Sequence, residues 1–201
     1  MKPDAALLRI LYDPVDWVDP QWLARFNIDL RWHRRLGNAL LLQRAGLRPV
    51  TVADLGAPGV PWLVQQWDAL SEAVYLVGAR LARNALIKTN AVLHLRHNAY
   101  GFVTYPLSES LWGKVFLFSN GTAVEWPRGE LDTRIFALGM SCLQKALPDL
   151  PLGWSDRLRM KLPPEVQPCA SVERGEVAFP ASASCLRLFS HAIIFYHAQR
   201  D

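Results

Sequence analysis

His94 and His97 stand three residues apart on a predicted helix, a spacing that can turn two imidazoles toward one metal ion. No Glu accompanies them in HExxH form, and the nearest acid downstream is Glu109, so the pair reads as surface or half-buried histidines. His191 and His197 lie six apart, on different faces of a helix. Nucleophile signals are equally thin. There is no GxSxG elbow, and Cys169 sits in a Pro-rich stretch with no His nearby. Gly56-Ala57-Pro58-Gly59 resembles a glycine-rich turn but lacks the lysine and preceding strand that phosphate binding needs. Asp13, Asp16 and Asp19 recur at three-residue intervals among prolines, which suits loop and helix capping better than acid/base chemistry. The chain is therefore expected to bind other proteins, with no catalytic residues, no cofactor and no metal.

Three basic groups remain: Arg31/Arg34/Arg35 (with His33), Arg80/Arg83/Lys88 and Arg157/Arg159/Lys161. Each is expected to be a solvated helix face, and together they offer an acidic protein partner an electropositive surface. Nucleic acid is not expected, because no aromatic–basic interleaving or reading motif accompanies them.

With 201 residues, 51% hydrophobic and 20% charged, the chain can bury roughly 70% of its unfolded surface, which excludes a disordered chain. The net charge of +4 is mild. Cys142, Cys169 and Cys185 form no CxxC or zinc spacing and are expected as reduced thiols. Apolar runs such as Ala192–Tyr196 are core-sized, far short of the ~20 residues of a spanning helix. The opening residues make a poor signal peptide, since Asp4 and Arg9 bracket only Ala5 to Leu8.

The elements that must position these residues are mostly helical. A short apolar element ends at Pro14, and Pro20 opens a helix near Gln21. A helix from about Asp29 runs through Trp32, Leu36 and Leu40 to a glycine cap at Gly46. Residues 47 to 61 read as a loop with at most one helical turn. The clearest helix is predicted over Trp62 to Lys88, with Leu70, Val74, Val77, Leu81 and Ala85 on one face and Arg80, Asn84 and Lys88 opposite. Gly78, Ala79, Ala82 and Ala85 make a small-residue strip that admits a neighbouring helix. Phe102–Tyr105 has strand chemistry after a helical stretch. A short helix is expected from Ser108 to Phe118, before an Asn120-Gly121 turn. Helices follow over about Gly129–Leu147, with Leu131, Ile135, Leu138, Cys142 and Ala146 inward, and from Ser184 to about Gln199, burying Leu186, Phe189, Ile193 and Tyr196. Trp154–Leu162 fits either a helix or an alternating strand, and helix is favoured. The reading is a mostly α, irregular single-domain helical bundle over 1–201, with few or no strands and a loop-rich segment at 163–183.

Eight tryptophans are many for this length. Trp17 and Trp22 lie five apart across a turn in the Asp13–Trp22 segment, whose two prolines and three acids would preorganise a contact surface, or whose tryptophans would staple it to the core. Three segments together resemble the OrgA/MxiK-like branch of the SctK family of type III secretion accessory proteins: Ile10–Leu23 with its Asp13-Pro14 and Asp19-Pro20 pairs, the Val74-Tyr75-Leu76-Val77-Gly78 helix, and Leu147-Pro148 through Trp154, Arg157-Leu158 and Leu162-Pro163. Asp19 stands where that family commonly has a histidine.

The resemblance implies a mostly helical, non-enzymatic component of the sorting platform, cytoplasmic and held at the cytosolic face of the inner membrane through protein contacts alone. It implies a bridge from the inner-membrane ring protein (SctD class) to the pods of the SctQ class, beside the SctL-class stator, needed for effector secretion and virulence. The candidate partner-binding residues are Asp13, Pro14, Trp17, Asp19, Pro20 and Trp22, then Arg80 and Arg83, then Trp154, Arg157 and Arg159. The alternative is another protein-binding module, such as a secretion chaperone or adaptor. Those are usually smaller, acidic and α/β, unlike this basic, helical chain.

Overall fold

A computed structural model describes residues 4–29, 33–105, 128–166 and 181–200. Trp32, Cys169, the expected 108–118 helix, the Asn120-Gly121 turn and most of the 163–183 segment lie outside the described residues. Among the described residues there are eleven α-helices and no strand, so the chain is mostly α.

Local chemistry explains most helix ends. Helix α1 (Ala5–Tyr12) is capped by Asp4, whose Oδ1 accepts from the Ala6 amide at 3.0 Å. Pro14 then opens a 3-10 turn over Pro14–Asp16. Asp19 caps α2 (Pro20–Arg25) by accepting from the Gln21 amide, and Pro20 occupies the first position, where its missing N–H costs nothing. Helix α3 (Arg34–Arg44) ends before Gly46, whose φ of +59° is the left-handed cap conformation. The four-residue helix α4 (Val52–Leu55) carries a capping box between Thr51 and Asp54, and α5 spans Val60–Gln65. A 3-10 turn over Trp67–Ala69 leads to α6 (Leu70–Leu81) and then α7 (Arg83–Lys88). A 3-10 turn over Ala91–His94 precedes α8 (His97–Thr104). Helix α9 (Leu131–Ala146) follows a turn over Arg128–Glu130, then come α10 (Leu152–Met160) and α11 (Ser182–Ala198).

The chain forms two compact units. The first holds residues 1–68 and 149–165, and the second residues 69–148 and 166–201. In the second unit α6 packs against α9, α11 and α8. Nearly every α6 side chain is buried, as expected for a helix that is apolar all round. The strip around Gly78 does admit a neighbour. A Cβ on Gly78 would lie 1.9 Å from the Ile135 carbonyl oxygen, and one on Gly139 would lie 1.9 Å from that of Val74. The two glycines set the crossing of α6 and α9.

Three expectations need correction, and the choice between helix and strand at Phe102–Tyr105 resolves to helix. The long helix over 62–88 is broken at Gln66 and at Ala82. The backbone at both breaks keeps near-helical angles, so the apolar period reads straight through them. After Gln66 the chain tightens into the 3-10 turn over Trp67–Ala69 before α6 begins. Helix α3 starts at Arg34 and buries Gly37, Asn38 and Leu41, leaving Leu36 half exposed. Phe102–Tyr105 is the end of α8 with Phe102 and Val103 buried, so packing overrides β-propensity there. In α11 the inward face is Cys185, Leu188, Phe189, Ala192 and Ile193, with Leu186 and Tyr196 only half-buried. Trp154–Leu162 is helical through Met160, as favoured.

Candidate partner-binding surface

In the first unit the three acids of the N-terminal segment hold the fold together. Arg34 donates from Nε to Asp13 Oδ1 at 3.0 Å, and its Nη2 pairs with both Asp13 and Asp16. Asn38 donates its side-chain amide to Asp13 and accepts from the Val15 amide at 2.9 Å. The Arg34 bond, helped by Asn38, holds the Asp13 carboxyl below its usual range against the opposing effect of burial. Asp13 and Asp16 thus tie the Pro14 turn to α3, while Asp19 caps α2.

The tryptophans of this segment are buried. Trp17 meets Trp67 edge-on, with centroids 5.2 Å apart, and Trp67 meets Trp154 at 6.4 Å. Trp17 donates from Nε1 to the Arg9 carbonyl, and Trp22 donates to the Leu162 carbonyl at 2.8 Å. The Asp19 amide bonds the Met160 carbonyl nearby. Segment 13–22 is therefore stapled to the end of α10. Pro14, Trp17, Trp22, Trp154 and Arg157 are all buried, so these five expose almost no side-chain surface, which fits the stapling side of the two readings of this segment. They shape the unit instead.

The basic face at Arg157/Arg159/Lys161 departs from expectation. Arg159 is exposed, but Arg157 and Lys161 are only 5% and 8% exposed. Arg157 donates from Nη1 to the carbonyls of Gly153 (2.8 Å) and Arg48 (3.0 Å), and burial lowers its pKa. Beside it Arg48 makes a two-pronged pair with Asp156, both contacts at 2.7 Å. The bonds to and from Arg48 join residues more than a hundred positions apart, which no local pattern signals.

Lys161 sits with its Nζ 5.3 Å from the Trp67 ring centroid, near the pair that Arg9 and Asp68 make at 2.5 Å. Burial brings its ammonium down from 10.5 to about 8. Below pH 8 both folded and unfolded chains carry this charge, and the penalty is constant. Between about 8 and 10.5 only the unfolded chain still holds the proton, so stability should rise with pH, by up to about 3 kcal/mol. Lys161→Met should flatten that rise, as read from denaturant melts at pH 7, 8 and 9.5. Tyr75, whose phenol is pushed up by burial and by its bond to Asp132, opposes the trend only above its ordinary value of 10.

What the first unit does expose is an open groove of about 590 Å³ beside the Asp13 cluster. One wall is an apolar stripe on α1, Ala5, Leu8 and Tyr12, with Leu8 40% and Tyr12 66% exposed. Arg34 and Arg35 of α3 form the other. Leu8 and Tyr12 were not among the expected contact residues. Their signal was a small one, apolar positions four apart on a helix whose inward face already belongs to Ile10.

In the second unit Arg80 caps α8. Its Nη1 donates to the Val103 carbonyl at 2.5 Å and that of Tyr105 at 2.9 Å, with Phe102 at 3.4 Å, so it is not part of a solvated face. Arg83 is exposed, as expected. Unforeseen is a network in which Tyr75 donates to Asp132 at 2.6 Å while Arg96 bonds Asp132 and lies over the Tyr75 and Phe136 rings. His94 is exposed, and among the described residues no group of three His, Cys, Asp or Glu is arranged to hold a metal. No helix among them is long and apolar enough to cross a membrane.

No curated protein and no solved structure matches the chain. A family model does, that of the bacterial type III secretion apparatus proteins OrgA and MxiK, over residues 7–200. The match spans both compact units and nearly every element described above, and so the chain belongs to the OrgA/MxiK family of type III secretion apparatus proteins.

Proposed function

We propose that this chain is a non-enzymatic, cytosolic part of the sorting platform, joining the inner-membrane ring protein of the SctD class to the SctQ-class pods beside the SctL-class stator. The family match carries the reading. Two features of the molecule support it. Asp13, Asp16, Asp19, Trp17, Trp22, Arg80 and Arg157 are used for capping and stapling, which suits a scaffold better than a reaction centre, while Arg83 and Arg159 stay exposed. Each compact unit also exposes apolar side chains beside charge, Leu8 and Tyr12 with Arg35 and the paired Asp13, Asp16 and Arg34 in the α1/α3 groove of the first and Ile87 with Arg83 and Lys88 on α7 in the second, and a bridge needs two separate contacts.

Deleting the gene in its native host should abolish effector secretion and pod assembly while the membrane rings still form. Secretion assays with imaging of the secretion complexes check this. Normal secretion from a clean deletion would refute the role.

A further inference from the structure

The exposed face made by α7 and the following 3-10 turn meets no counter-charge among the described residues of its unit. Helix α7 shows Arg83, Asn84, Ile87 and Lys88 to solvent, and the packed turn adds Leu93 and His94. Ile87 is 44% and Leu93 71% exposed. Three carboxylates, Glu72, Glu130 and Asp132, belong to the described residues of this unit. Glu72 and Asp132 pair with Arg96, and Glu130 pairs with Arg134. None pairs with Arg83 or Lys88, and Arg83 instead repels Arg80, one turn earlier.

We infer that this face docks a partner protein's helical segment that carries carboxylates beside apolar side chains. The carboxylates would meet Arg83 and Lys88, and the apolar groups would cover Ile87 and Leu93. Arg83 and Lys88 pair with no described carboxylate at the point where apolar surface is also open, and that combination selects the occupant. Single-stranded nucleic acid is a poorer fit, because the face offers no Trp, Tyr or Phe ring for a base to stack on, only the His94 imidazole. An anionic membrane is poorer too, since six residues of helix with one exposed apolar side chain fall short of an interfacial helix. The inference deepens the bridging role by naming the chemistry of one of its contacts, and it rests on that role only for the partner's belonging to the secretion apparatus.

The test uses the full chain and a synthetic amphipathic helical peptide with Glu on one face and Leu on the other. A version with Lys for Glu, phosphatidylglycerol vesicles and a single-stranded oligonucleotide serve as the other arms. The acidic peptide should bind best, more weakly as salt rises, and at least about tenfold more weakly to Arg83→Glu/Lys88→Glu. Both positions are exposed, so melting of this variant should stay unchanged. Ile87→Ser/Leu93→Ser should weaken the peptide as well, separating apolar docking from charge alone. Acidic-peptide binding indifferent to Arg83→Glu/Lys88→Glu overturns the proposal, as does a charge-dependent preference for the vesicles or the oligonucleotide. Secretion should also fall in a host carrying Arg83→Glu/Lys88→Glu. If peptide binding is lost but secretion persists, the face is not an apparatus contact, whereas the deletion phenotype reports on the bridging role independently.

Discussion

Gly78→Ala should destabilise the protein by at least about 3 kcal/mol, a fall in melting temperature on the order of 10 °C, although alanine is the better helix former. Intrinsic propensity alone would favour the substitution by roughly 1 kcal/mol. Against that, the new methyl group would sit 1.9 Å from the Ile135 carbonyl oxygen, and the obstacle is backbone. No side chain can rotate away, so α6 and α9 must separate and loosen the apolar contacts between them. Gly139→Ala meets the Val74 carbonyl at the same distance and should cost a similar amount. Once one substitution has parted the helices, the second meets less resistance, and the double variant should lose less than the sum. Thermal melts of the three variants decide this. An unchanged or raised melting temperature for either single variant would show that the helices do not touch there.

Trp154→Ala should cost roughly 3–5 kcal/mol, and Trp17→Ala and Trp22→Ala should fall in the same range. Trp154 is fully buried against Trp67, which in turn holds Trp17, so removing one ring leaves a cavity lined by the others. Trp22→Ala also leaves the buried Leu162 carbonyl without its indole donor. Interface anchors behave in the opposite way, leaving melting nearly unchanged and losing at least ~2 kcal/mol of partner affinity. Denaturant melts separate the two behaviours, and early melting of all three assigns them to the core.

The helical class and α9 were legible because an amphipathic period is a local signal, and the same signal ran α5, α6 and α7 together as one helix. The five residues from Leu131 to Ala146 expected on the inner face of α9 are all buried. Caps were legible for the same reason. Asp19 followed by Pro20 is helix-start chemistry, and Gly46 is helix-end chemistry. Partners distant in sequence were not legible. Arg157 and Lys161 look solvated in the sequence, and only the fold brings the Arg48 carbonyl to one and Trp67 over the other. Arg80 looks like the polar side of a helix until α8 delivers its terminal carbonyls. Gly78 announced a close approach, yet nothing in the sequence identified Gly139 and Ile135 as what approaches. The exposed apolar surface was hidden too, because Tyr12, Leu8 and Ile87 have core chemistry and no pattern marks them as uncovered.

Site-specific photo-crosslinking in secreting cells tests the bridging role most directly. A crosslinker is placed in the full chain at Tyr12 on the α1/α3 groove, and separately at Ile87 on the α7 face. Between them the two positions should yield adducts with the cytoplasmic domain of the ring protein and with a pod protein, each identified by mass spectrometry. Adducts with secreted effectors alone, from either position, would contradict the bridge and make the chain a substrate carrier.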